Sequence, residues 1–127
     1  MKIEEKRMQL LQDTIYYYSM FPRCMNYDEE GDYMYPVFSG NTAKLNTAGD
    51  VLGRLLTPKR RNMLDMEFGE VPLEDIWSSL PKELLNLGTD FLTELCCLHD
   101  NCSFWEEKVL SEYGREFVEE IKEKFCL

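Results

Sequence analysis

The segment Cys96-Cys97-Leu98-His99-Asp100-Asn101-Cys102 holds three of the five cysteines and the only histidine of this 127-residue chain. Cys96, His99 and Cys102 are three residues apart, a set of soft ligands that brings zinc to mind. A structural zinc site needs four such ligands held tetrahedrally, and the fourth would have to come from distant Cys24 or Cys126. The plainer account puts Cys96 on the apolar stripe of a helix and lets His99 satisfy that helix's C-terminal end, where an imidazolium is also favoured. No metal and no cofactor is expected. A thiol nucleophile is the other chemistry on offer, but Cys97 and His99 are two apart and face different sides of a helix. A catalytic thiolate also needs an electropositive setting, and the charge here is negative. A Cys/His enzyme ranks last among the readings.

Two further constellations carry charge. Asn26, Asp28 and Glu30 followed by Gly31 look like the first half of an EF-hand loop, but the twelfth position is Val37 where a bidentate carboxylate is required. A solvated acidic turn accounts for them. Arg54, Lys59, Arg60 and Arg61 form the one basic cluster, beside a helix start at Thr57-Pro58 whose backbone N–H groups suit an anion. Arg54, Lys59 and Arg60 are therefore the candidate residues of a binder of a nucleotide or phosphorylated signal, the alternative function. Pairing of Arg60 and Arg61 with the acidic C-terminal half is the favoured account, because such surface pairing is common. No glycine-rich phosphate loop is present.

Charge is unevenly spread. Residues 1–61 carry nine Lys/Arg against eight Asp/Glu, and residues 62–127 carry five against sixteen, which makes the net charge −10. Such a field repels nucleic acid and attracts basic surfaces. Its densest patch is Glu112, Glu116, Glu119, Glu120 and Glu123, which helical spacing gathers on one face. Tyr16-Tyr17-Tyr18 cannot all face one core, so one ring is expected outside, and Tyr17 joins the five glutamates as a candidate partner contact.

These groups need elements to position them. Periodicity predicts a helix from Ile3 to Met20 with Met8, Leu11, Ile15 and Tyr18 on one face and Leu10, Thr14 and Tyr17 beside it, stopped by Phe21-Pro22. From 23 to 49 the pattern becomes irregular, with room for a short hairpin. Short helices are expected at Val51–Leu56, from Thr57-Pro58 to about Met66, and around Pro72 to Trp77. Leu84, Gly88, Phe91, Leu95 and Leu98 read as the stripe of a single core helix after a turn near Pro81. Beyond the Asp100-Asn101 turn and Phe104-Trp105, Ser111 can cap a last helix whose Phe117, Val118, Ile121 and Phe125 face inward.

The composition, 44% hydrophobic and 13% aromatic, is enough for an ordered core. No apolar run reaches the ~18 residues of a membrane span. The odd cysteine count fits a reducing compartment, with most thiols buried. The expected fold is mainly α: residues 1–127 as a single compact domain of five or six helices, in the cytoplasm.

Gly49-Asp50-Val51-Leu52-Gly53-Arg54-Leu55-Leu56, Leu80-Pro81, Leu87-Gly88-Thr89-Asp90-Phe91-Leu92 and Leu98-His99-Asp100 with Phe104-Trp105 together resemble a group of small phage- and prophage-encoded proteins. That group has a G-C-A-I-G-R-type segment, an L-x-x-L-G-x-x-F-L helix and an L-H-D…F/Y-W turn. The likeness covers roughly residues 49–126, and Asp50 stands in place of the group's cysteine. It implies a phage or prophage origin and a bacterial host cell, and brings no activity with it. Charge and resemblance together lead to a non-enzymatic accessory protein that binds a basic host protein, such as a defence or nucleic-acid-handling factor, and inhibits or modulates it. No direct contact with nucleic acid or membrane is expected.

Overall fold

The computed structural model describes residues 2–20 and 80–127. Contacts group Met1–Pro22 with Lys82–Leu127 as one unit and Arg23–Pro81 as another, and of the described residues all but Leu80 and Pro81 belong to the first. That unit is mainly α: helix α1 (Ile3–Met20), one turn α2 (Lys82–Leu85), α3 (Thr89–Asp100), a 3-10 turn (Cys102–Phe104), a two-residue hairpin of β1 (Trp105–Glu106) and β2 (Val109–Leu110), and α4 (Glu112–Lys124). The irregular segment at 23–49 and the helices expected between Val51 and Trp77 lie outside the described residues.

Helix α1 has the predicted bounds, and Leu11, Thr14 and Tyr18 form its fully buried edge. Glu4 and Glu5 in the first turn oppose the positive end of the helix dipole. Burial of the Thr14 hydroxyl is tolerated because it donates to Leu10 O at 2.7 Å, so no polar group is stranded there.

The single helix expected across Leu84 to Leu98 is corrected to two. Leu87 N and Gly88 N donate to Leu84 O and Leu85 O, which tightens and ends α2, and Gly88 takes φ 93°, a conformation that only glycine adopts at little cost. The Leu87 carbonyl, which a continuous helix would offer to the backbone four residues on, instead accepts from Arg7 Nε at 2.8 Å. Arg7 reaches there from α1, with its guanidinium carbon 5.6 Å from the Phe91 ring centre and 5.1 Å from that of Phe125. A cation lying over two rings is held electrostatically as well as by its hydrogen bond.

Helix α3 then buries Phe91, Leu95 and Leu98 of the predicted stripe, with Leu92 and His99 buried beside them. Its C-terminal end is closed differently from expectation: Trp105 Nε1 donates to Leu98 O at 2.6 Å, while His99 Nδ1 lies 2.6 Å from Asp100 Oδ1. An indole N–H is the better donor to a buried carbonyl because the rest of its ring packs in the apolar layer. Tyr18 closes edge-on over both His99, at 4.9 Å, and Trp105, at 6.3 Å.

The hairpin pairs Trp105 with Leu110 and Glu106 with Val109, around a two-residue turn at Glu107-Lys108. Ser111 locks it to α4. Its hydroxyl donates to Ser103 O at 2.6 Å and accepts from Gly114 N at 3.1 Å, and its own N–H donates to Phe104 O at 2.9 Å. The predicted N-cap is therefore present and also closes the loop. Along α4, Val118 and Ile121 are buried as expected. Phe117 and Phe125 are half-buried, the first stacked on Phe104 and the second edge-on to Phe91.

Candidate functional site

Helix α4 presents two chemistries on opposite sides. At 100° per residue, Glu112, Glu116, Glu119, Glu120 and Glu123 fall within about 100° of arc and run along about 16 Å of helix. All five are exposed. The helix's own cations are engaged elsewhere or at the edge: Arg115 Nη1 donates to Leu110 O at 3.0 Å, Lys124 Nζ to Glu94 Oε1 at 2.9 Å, and Lys122 Nζ to Glu119 Oε1 at 3.3 Å. Among the described residues, Glu112, Glu116, Glu120 and Glu123 form no ion pair. Like charges four residues apart cost a helix a few tenths of a kcal/mol per pair, so a stripe of this kind works against the stability of α4.

Glu94 holds the Lys124 ammonium above the ordinary lysine range, first through its hydrogen bond and then through its charge, with desolvation opposing it and the charge of Asp90 adding least. The pair spans a groove between α3 and α4 that Phe117, Glu120 and Ile121 complete.

Of the three consecutive tyrosines, Tyr18 is fully buried and Tyr16 is 68% exposed. Tyr17, the ring assigned to the interface from sequence, is half-buried, edge-on to Tyr18 at 5.1 Å. One exposed ring was expected, and it is Tyr16. The reading from sequence missed Tyr113, 67% exposed at the margin of the acidic stripe. Its signal was available: it precedes Glu116 by three residues, which places it beside the stripe on a helix.

The cysteine–histidine segment is spread over different environments. His99 is sealed from solvent, Cys96 is half-buried, and Cys97 and Cys102 are exposed, as is Cys126. The expectation that most thiols are buried fails for these four, because Cys97 sits on the solvent side of α3 and Cys102 and Cys126 lie in the turns that follow α3 and α4. Among the described residues no group of three or more His, Cys, Asp or Glu is arranged to hold a metal ion. Arg54, Lys59 and Arg60 lie outside the described residues. No helix among those described is long and apolar enough to cross a membrane. No protein-family model matches this sequence, and no curated protein or solved structure matches it significantly.

Proposed function

We propose that this chain is a non-enzymatic accessory protein, of the kind encoded by phages and prophages, that binds and modulates a basic host protein through the acidic stripe of α4. The observation that supports this most is that four of the stripe's five carboxylates are exposed without an ion pair among the described residues, although α4 carries three cations of its own. A charge pattern that costs the helix stability and is left open to solvent has its use outside the molecule. The target is a protein that handles nucleic acid or defends the cell, because such proteins carry basic surfaces shaped for a phosphate backbone, and a row of glutamates can occupy one. On this reading the protein works in the cytoplasm of a bacterial host, as a mainly helical domain of five or six helices, without a cofactor.

The test is capture from a bacterial lysate at low and at raised salt. Captured proteins should be basic, and their yield should fall steeply between about 50 and 300 mM salt as the charges are screened. Capture that ignores salt, or of proteins without a basic surface, overturns the reading.

A further inference from the structure

We infer that the groove between α3 and α4 is a socket for an arginine side chain of the basic partner, which takes the Glu94 carboxylate over from Lys124 when the partner arrives. This rests on the proposed binding through α4 and adds to it the residue type that is read. The groove has a volume of about 240 Å³ and is lined by Glu94, Phe117, Glu120, Ile121 and Lys124. It offers one carboxylate from each helix, Glu94 from α3 and Glu120 from α4, together with the buried Ile121 and the half-buried Phe117. Carboxylates together with apolar groups are complementary to a cation carried on a methylene stem, which describes Arg and Lys and no other side chain.

Lys124, which lines the groove, shows that Glu94 pairs with a cation there. Its ammonium is already seated on Glu94 at 2.9 Å, while more than half of the side chain remains in solvent. Glu94 is the more enclosed partner, with 23% of its side chain exposed. An exposed lysine–carboxylate pair is weakly held, so its replacement by an incoming group costs little. Arginine is the better occupant because its planar fork bonds one carboxylate with two parallel N–H groups and has donors left for a second, which the point charge of lysine cannot do. Glu120 belongs to both the groove and the stripe, so a partner spread along the glutamates would bring its side chains to this opening.

The experiment uses the full chain and two fluorescent peptides of equal length and charge, one alternating arginine with glycine and the other lysine with glycine, titrated at low salt. The wild-type protein should bind the arginine peptide about tenfold more tightly. Glu94→Gln should remove that preference while keeping the affinity for the lysine peptide within about twofold, as Glu83→Gln, the same charge change outside the groove, does to both peptides. Lys124→Gln should tighten the arginine peptide by about threefold more than Lys82→Gln does. Melting curves of all four variants should match wild type, which separates loss of the socket from loss of the fold. Equal affinity of the wild type for both peptides overturns the socket and leaves the stripe reading standing, as does an arginine preference that survives in Glu94→Gln. Failure of either peptide to bind at low salt overturns both.

Discussion

A Cβ on Gly114 would fall inside van der Waals contact of the Phe104 carbonyl oxygen and 2.9 Å from its carbon. The first turn of α4 can lie against the 3-10 turn only because this position has no side chain. In an open helix, Gly→Ala gains about 1 kcal/mol of propensity. Here the neighbour is backbone, and its oxygen is held by the Ser111 N–H at 2.9 Å, so it cannot easily yield. Overpacking of about 1–3 kcal/mol or more should then win, and Gly114→Ala should lower the melting temperature. A rise would mean that the two turns do not approach so closely. The opposite sign is expected at Cys126, which adopts φ 59° where α4 ends. Leu127 N donates to Lys122 O and Cys126 N to Glu123 O, a Schellman arrangement whose left-handed position ordinarily belongs to glycine. Because Cys126 is exposed and no packing is lost, Cys126→Gly should stabilise by about 1 kcal/mol in thermal or urea unfolding. Ser111 was legible as a cap because a cap is local: a short hydroxyl residue just before an amphipathic run. Gly114 was not, since nothing near it in sequence says that residue 104 will be its neighbour.

At the level of elements, the same division between local and distant causes explains where periodicity sufficed. The span of α1 and the inward faces of α3 and α4 follow from apolar spacing, and Phe91 on the strongest stripe and Leu92 beside it are fully buried. Phe91→Asp or Leu92→Asp should therefore unfold the unit, since an unpaired buried charge costs several kcal/mol against a total stability of about 5–15. Native melting in either variant would remove α3 from the core. Phe117 lies half-buried on Phe104, so Phe117→Ala should cost about 2 kcal/mol, below the range for a fully enclosed ring. Apolar spacing alone could not reveal the break at Gly88, because the stripe from Leu84 to Leu98 keeps its period straight across it. The carbonyl freed at the break, Leu87 O, is taken up by Arg7, eighty positions away. Gly88 itself, a residue type that commonly follows a helix end, was one hint, and a cation four residues before Leu11 was another. Arg7→Leu should thus destabilise by about 2 kcal/mol, the scale of a lost hydrogen bond to a charged group, and Lys6→Leu should have little effect. Equal effects of the two would reduce Arg7 to an ordinary surface residue.

Across the whole molecule the governing quantity is charge, and it was the most legible because it needs only composition and the period of a helix. The stripe on α4 follows from five glutamates at helical spacing. The engagement of Arg115 and Lys124 away from it does not, since their partners, Leu110 O and Glu94, are set by the fold. Reversing Glu116, Glu119 and Glu123 to Lys raises the net charge by two per substitution, from −10 to −4. All three side chains are exposed, and only Glu119 loses an ion pair, one of the exposed kind that contributes at most about 1 kcal/mol. The folded state should therefore survive with its melting temperature nearly unchanged, since that loss is offset in part by relief of repulsion between neighbouring glutamates. Association should respond very differently. A stripe that meets a basic surface gains from each charge, and its reversal turns attraction into repulsion over the same contacts, so binding to a salt-released partner should be abolished and not merely weakened. Residual affinity in the wild type should also fall with salt, since the screening length shrinks from about 10 Å at 0.1 M to about 3 Å at 1 M. Wild-type affinity in a folded triple reversal would show that the stripe serves solubility alone, and the search for the contact surface would then turn to Tyr16 and Tyr113, exposed rings among the described residues that the stripe does not explain.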